Sequence, residues 1–164
     1  MNSLIALVNA LTAPVSLSAL KSVLLAMVGS QQEFYFEKTI TSAEVLDLHD
    51  TPIDLVDAQG ANTIIVPTQI IGELDFNSVA YATNGNLVIK SGGGWYVAVA
   101  EGSQFLFGTV SRIMNIMVVE NEKSATAVQY VANQPLTVEV LTANPTAGDS
   151  DIVIRGYYKV ITVS

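Results

Sequence analysis

The 164-residue sequence contains no cysteine and one histidine, His49. Disulfide bonds, thiolate metal sites and cysteine nucleophiles are therefore excluded, and no site can combine several imidazoles. A serine triad would have to use this single histidine, and the sequence has no G-x-S-x-G motif. We expect His49 to be a surface or capping residue rather than a catalytic base.

Charged residues are also scarce, at 13% of the chain, against about 25% in a typical soluble domain. Fifteen acidic and seven basic residues give a net charge of −8. The basic residues are scattered singly, so we expect no nucleic acid partner. Because half of the chain is hydrophobic, intrinsic disorder is excluded. So few charges cover the surface of a monomer poorly, which predicts an oligomer.

The composition changes at Glu33, because residues 1–32 contain one charged side chain, Lys21. We predict an apolar helical arm over residues 1–32, broken at Pro14, and a separate domain over residues 33–164. The apolar stripe that we expect to serve oligomerisation or docking comprises Leu4, Leu7, Leu11, Leu17, Leu20 and Leu24.

Two other interpretations of this arm stay open: a helix packed on its own domain, and an export or membrane segment. Polar residues interrupt the apolar run, and the first five residues lack a basic side chain. We therefore favour the docking arm and expect no membrane partner. Either Ser16 or Ser18 is placed to cap the second helix of the arm.

Beyond about Glu37 the sequence is typical of β structure, with short runs rich in Val, Ile, Thr and Tyr between turn residues. This pattern predicts a mainly β fold, an antiparallel, jelly-roll-like β-sandwich behind the helical arm. In the last strand, alternate residues are expected to face opposite sides. The predicted strands are 53–58, 63–76, 86–90, 95–100, 125–131, 136–142 and 151–163.

One short helical turn interrupts this pattern. Thr41-Ser42-Ala43-Glu44 has the form of a capping box, in which the threonine and glutamate side chains bind each other's backbone N–H groups. We expect the apolar residues after it to hold the turn against the sheet.

The acidic residues invite a calcium-site interpretation at Asp47, Asp50, Asp54 and Asp57. Their spacing does not match an EF-hand loop, and a solvated acidic rim is the favoured interpretation. No pair of carboxylates is singled out for glycoside hydrolysis. The three glycines at 92–94 precede a strand rather than a helix, so no nucleotide-binding motif is present. We expect no metal and no cofactor.

Aromatic residues are the remaining candidates for ligand binding. Trp95 and Tyr96 follow the three glycines and could stack on a sugar if they lie on an exposed loop. Core or interface packing is the favoured role for the other rings, which are clustered at Phe34, Tyr35 and Phe36 and at Tyr157 and Tyr158.

Three stretches resemble small structural proteins of tailed bacteriophage virions: TITSAEVLDLHDTPIDLVDAQGANTIIVPTQIIGELDF, AYATNGNLVIK and NQPLTVEVLTANPTAGDSDIVIRGYYKVITV. The resemblance covers residues 39–163, except that residues 104–124 do not align. Asp57-Ala58-Gln59-Gly60 also departs from the Pro-Ala-x-Gly of those proteins. The resemblance implies a trimeric β-sandwich, used as a capsid decoration protein or a head fibre. Its implied partners are other copies of itself and the major capsid or other virion proteins, after synthesis in the host cytoplasm.

From this resemblance and the scarcity of charge we expect a non-enzymatic virion structural protein. The alternative is a receptor- or glycan-binding module of a phage fibre that uses Trp95 and Tyr96. A carbohydrate-active enzyme is a third hypothesis, for which the sequence offers no preferred residue.

Overall fold

The computed structural model describes residues 16–29, 32–82, 85–92, 96–100, 105–118 and 130–163. The chain divides into two compact units, Met1–Gln32 and Glu33–Ser164. The described part of the first unit is helical, and that of the second is mostly β structure.

Helix α1 spans Leu17–Gly29 in the first unit. The Ser16 hydroxyl accepts a hydrogen bond from the backbone N–H of Ala19 at 3.2 Å, and its carbonyl accepts one from Leu20 at 3.0 Å. Ser16, rather than Ser18, is thus the N-cap. The earlier helix predicted around residues 4–11 lies outside the described residues. Within the described part of the chain, no helix is long and apolar enough to cross a bilayer.

The described residues of the second unit form antiparallel strands and one short helix, α2 (Ser42–Val45). The strands are β1 (Phe34–Ile40), β2 (Ile53–Val56), β3 (Thr63–Asp75), β4 (Leu87–Ser91), β5 (Tyr96–Ala100), β6 (Arg112–Val118), β7 (Leu136–Val140) and β8 (Asp151–Thr162). Their order is β1-β8-β3-β6-β5-β4-β7-β2. We call β1-β8-β3-β6 the first sheet and β5-β4-β7-β2 the second sheet.

Strand β6 joins the two sheets. It pairs with β3 from Arg112 to Ile116, and its last residues, Met117 and Val118, pair with β5. A strand that pairs with both sheets turns the corner of a sandwich. This strand was not predicted from the sequence pattern.

The inner faces of the sheets supply one hydrophobic core. Along β8, Ile152, Ile154 and Tyr158 are buried, whereas Tyr157 and Ile161 between and beyond them are exposed. This alternation confirms the two predicted faces of the last strand. The mainly β, antiparallel sandwich is likewise confirmed, while the jelly-roll connectivity stays a prediction.

Helix α2 forms as predicted. The Thr41 hydroxyl accepts from the N–H of Glu44, and the Glu44 carboxylate accepts from the N–H of Thr41 at 2.8 Å. The first of these hydrogen bonds stabilises the start of the helix. The hydrogen bonds that Thr41 donates to the carboxylate lower the pKa of Glu44, because they favour its ionised form. Val45 and Leu48 are fully buried behind the capping box and hold the turn against the core.

Two boundaries differ from the prediction. The β structure begins at Phe34 rather than near Glu37, because the aromatic residues Phe34, Tyr35 and Phe36 belong to β1 and pair with β8. The strand predicted over 125–131 lies largely outside the described residues, and the described Tyr130 and Val131 are not in a strand.

Candidate functional site

Two features of the second unit stand out: a cluster of loops and an apolar sheet face. The loop cluster comprises residues 41–51, 76–82 and 141–151, which are far apart in the sequence and joined by side-chain hydrogen bonds. It contains much of the sequence that carries the resemblance to virion proteins, so its geometry decides what those residues do.

Asp149 links two of the three segments. Its carboxylate accepts hydrogen bonds from the backbone N–H groups of Ser78 at 3.0 Å and Val79 at 2.8 Å, and from the side-chain amide of Asn77 at 3.0 Å. The Ser78 hydroxyl donates a further bond. This last bond and those from the backbone lower the pKa of Asp149, because each favours the ionised carboxylate. Asp149 thus joins segment 141–151 to segment 76–82 within the fold.

Tyr81 lies beneath the same joint. Its side chain is 3% exposed, and its hydroxyl donates to the carbonyl of Ser150. Burial raises the pKa of Tyr81, and the nearby carboxylates of Asp151 and Asp149 raise it further. Tyr81 therefore stays neutral as a hydrogen-bond donor at all ordinary pH values.

Asn144 ties the third segment to the cluster. Its side-chain oxygen accepts from the N–H of His49 at 2.8 Å, and its side-chain nitrogen donates to Asp50 at 2.8 Å. The Nδ1 atom of His49 lies 2.7 Å from the carbonyl oxygen of Val140. His49 is partly buried here: its backbone contact ties its loop to segment 141–151, and its ring contact ties it to the last residue of β7.

The acidic residues proposed for calcium do not converge. Asp47 accepts from the hydroxyl of Thr51 at 2.6 Å, while Asp54 lies exposed on β2 and Asp57 beyond its end. Among the described residues, no group of three or more histidine and acidic side chains is placed to hold a metal ion. The carboxylates of Asp47 and Asp50 act in hydrogen bonds within the loop cluster.

The second feature is the solvent-facing side of the first sheet, which we call the outer face. Its most exposed apolar side chains are Tyr35 (54% exposed), Tyr157 (43%), Ile161 (44%) and Ile113 (70%). Tyr35 and Tyr157 are cross-strand neighbours with ring centroids 5.5 Å apart. Soluble monomers rarely leave so much apolar surface on one sheet face, which marks it as a candidate interaction surface.

The charges on the outer face bind one another. Arg155 contacts Glu37, at 3.7 Å from Nε to Oε2, and donates a hydrogen bond to Glu73. Lys159 lies 3.9 Å from Glu33. The Tyr35 hydroxyl donates to the Glu37 carboxylate, and this bond raises the pKa of Tyr35. The middle of the face is thus apolar, and its charged side chains are paired with one another.

The candidate ligand-binding aromatics are placed differently. Trp95 lies outside the described residues. Tyr96 is the first residue of β5 and is 7% exposed, with the Lys90 ammonium 5.4 Å from its ring centroid. Lys90 also forms an ion pair with Glu139 across the strands. A ring buried in this way offers little surface for stacking on a sugar.

The candidate arm residues are only partly described. Leu17 is 83% exposed and Leu20 is 43% exposed on α1. Leu24 belongs to the same helix, and its side chain is outside the description, as are Leu4, Leu7 and Leu11. Docking through this stripe stays a prediction.

The outer face was not predicted from the sequence pattern. Its most exposed member, Ile113, lies on β6, in a segment without strand prediction, and Tyr35 precedes the predicted start of the β structure near Glu37. The two isoleucines and one valine of β6 are a weak local signal, since β-branched residues are enriched in strands.

No family model matches the chain, and no curated protein is significantly similar to it. Two solved structures show some likeness. A chain of the cyanophage Pam1 capsid asymmetric unit is 13% identical, with a TM-score of 0.42, over 81% of this chain and 84% of that one. The Stig cyclase Fisc from Fischerella sp. TAU is 10% identical, with a TM-score of 0.34, over 69% and 56% respectively. These values are too low to transfer a function from either protein.

Proposed function

We propose that this protein is a non-enzymatic structural protein of a tailed phage virion, either a capsid decoration protein or a head-fibre component. It acts as an oligomer, most simply a trimer, that docks on capsid or other virion proteins. Its mechanism is the burial of complementary surface rather than chemistry.

The observation that supports this proposal is that residues of the virion-like stretches form hydrogen bonds between the loops. Asp149 and Tyr81 join segment 141–151 to segment 76–82, and Asn144 joins it to segment 41–51. All three residues lie in the stretches that resemble virion proteins and hold the loops at one end of the sandwich together. These residues stabilise the fold that the resemblance implies, rather than forming a reaction centre. We therefore interpret these stretches as typical of a structural module.

Surface composition supports the same proposal. Only 13% of the residues are charged, and the outer face of the first sheet is apolar. A soluble monomer rarely exposes apolar surface of this extent, so this surface is suited to burial against a partner. An oligomer assembled on a virion buries such surface permanently, as obligate complexes do.

The test is the location of the protein in particles of the phage that encodes it. Antibodies against the purified protein, labelled with gold, are applied to intact virions and viewed by negative-stain electron microscopy. We expect regular labelling of the head or of fibres attached to it. Unlabelled particles, with label only on the soluble fraction of the lysate, would contradict the proposal.

The role of the arm is tested by removing it. A chain that begins at Glu33 is added to particles that lack the protein, beside the full-length chain. If the apolar stripe with Leu17 and Leu20 docks on the capsid, the shortened chain stays unbound in a sedimentation assay. Equal binding of both chains would show that docking lies in the second unit.

A further inference from the structure

The charges in the middle of the outer face of the first sheet are nearly balanced and largely paired with one another. This middle part, from Glu73 to Glu33, carries three acids (Glu33, Glu37 and Glu73) and two bases (Arg155 and Lys159), a net charge of −1. Two further exposed acids, Asp75 and Asp151, lie at the end of the sheet beside the loop cluster. The whole chain carries −8. The loop cluster, by contrast, contains acidic residues and no lysine or arginine.

These charges decide which partner fits the outer face. Two chains of net charge −8 repel each other, so copies approach most easily through a face whose charges are already paired. A basic partner would instead be drawn to the acidic loop cluster. An apolar face whose central charges are paired, on an acidic chain, is therefore suited to another copy of the same chain.

The available area is adequate for such a contact. At their observed exposures, Tyr35, Tyr157, Ile161 and Ile113 offer roughly half of the ~800 Å² that each partner buries in a standard interface. The partly exposed side chains between them, including Ile64, supply further area. Aromatic and aliphatic side chains of this kind are the usual energetic centre of an interface.

We propose that the outer face, centred on Tyr35, Tyr157 and Ile113, is the surface through which copies of this chain contact each other. This inference rests on the oligomer of the proposed function and adds its location. The ion pairs of Arg155 become buried in the contact, where the rows of tyrosine and isoleucine exclude water.

The test is the molar mass of the full-length chain in solution, measured by light scattering. We expect the wild-type chain to have a multiple of the 17.4 kDa chain mass. Ile113→Glu and Tyr157→Glu place unpaired negative charges on the face of every copy. We expect each to shift the mass to 17.4 kDa at the same concentration, with an unchanged circular dichroism spectrum.

Val79→Glu is the matched control. Val79 is an apolar side chain, 48% exposed, in the loop cluster rather than on the outer face. The same substitution there should leave the oligomer intact. Dissociation by Val79→Glu as well would show that added charge alone breaks the assembly, which would overturn the assignment of the face.

A second measurement does not depend on disrupting the protein. Because the chain has no cysteine, Ile113→Cys and Val79→Cys each introduce a single thiol. In the oligomer, the thiol at position 113 should react with a maleimide at least tenfold more slowly than the one at position 79. Equal rates in an oligomeric sample would overturn the proposed interface.

The outcomes separate this inference from the proposed function. An oligomer that survives Ile113→Glu and Tyr157→Glu, with both variants folded, overturns the interface and leaves the virion role standing. A wild-type chain that is monomeric at high concentration also overturns it, and the gold-labelling experiment then decides the virion role independently. Protection of position 113 only after mixing with capsids would assign the face to a virion partner instead.

Discussion

At the scale of single residues, Gly148 shows how tightly the loop cluster is built. Its φ is +117°, in the left-handed region that favours glycine. A Cβ atom at this position would lie 2.1 Å from Cδ1 of the buried Tyr81 ring. The motif therefore requires glycine for backbone conformation and for space.

Gly148→Ala should thus destabilise the protein strongly. The strained backbone and the clash with Tyr81 together should lower the free energy of unfolding by roughly 3 kcal/mol or more. Urea denaturation followed by circular dichroism measures this loss. Gly60→Ala is the control, because Gly60 has φ +106° with nothing within 4 Å of its Cβ position, and it should cost only about 1–2 kcal/mol. Equal losses in the two variants would refute the packing role.

Asp149 predicts an acid dependence of stability. Its pKa in the folded protein is lowered by hydrogen bonds from Ser78 and Val79. Its contribution to stability is fully present above the unfolded pKa, about 3.9, and is lost as the pH falls through the lowered folded value.

We therefore expect the urea midpoint of the wild type to fall between about pH 5 and pH 2, and Asp149→Asn to flatten this dependence. The measurement is a series of urea titrations across that pH range. Asp57→Asn, an exposed acid outside the loop cluster, serves as the comparison and should preserve the wild-type slope. If the urea midpoint of Asp149→Asn depended on pH as strongly as that of the wild type, the carboxylate of Asp149 would not be a source of the acid dependence.

At the scale of elements, the capping box of α2 gives a direct prediction. Thr41→Ala removes the side-chain acceptor for the N–H of Glu44 and should cost about 1 kcal/mol of unfolding free energy. Thr41→Ser keeps the hydroxyl and should remain within a few tenths of a kcal/mol of the wild type. Denaturant titration of the three proteins distinguishes them, and a full-sized loss in Thr41→Ser would assign the effect to the methyl group instead.

Tyr96, at the start of strand β5, has two candidate roles: packing in the core and stacking on a sugar. Because the ring is buried beside Lys90, Tyr96→Ala should lower the unfolding free energy by about 3 kcal/mol. Trp95→Ala, beside it in the sequence, is compared in a glycan-array screen. Sugar binding by the wild type that either alanine variant abolishes while still folded would support the glycan-binding alternative against the structural one.

Local signals predicted some elements and missed others for identifiable reasons. The capping box and the alternation of β8 depend on neighbours three or two residues apart, so the sequence alone specifies them. Strand β6 was missed because its role is non-local: Arg112–Ile116 pairs with β3, and only Met117 and Val118 continue to β5. The start of β1 was missed because its aromatic residues gain their strand partners from β8, more than a hundred positions later.

At the scale of the whole molecule, composition predicted a need for buried surface but not its position. Scarce charge favoured an oligomer, yet the outer face forms only when β1, β8 and β6 are brought into one sheet. Tyr35, Tyr157 and Ile113 are too far apart in sequence for any local pattern to group them. The loop cluster is similar: its residues were recognised as turn residues, while the hydrogen bonds that join them depend on the fold.

The central claim is that this chain is a structural component of a virion, and its copy number in particles tests this most directly. Virions of the encoding phage are purified through a density gradient, and the protein is quantified against the major capsid protein by mass spectrometry with isotope-labelled peptides. The account predicts a fixed number of copies per particle, divisible by three and retained through repeated gradients. Absence from the purified particles, or trace amounts that fall with each gradient, would contradict it.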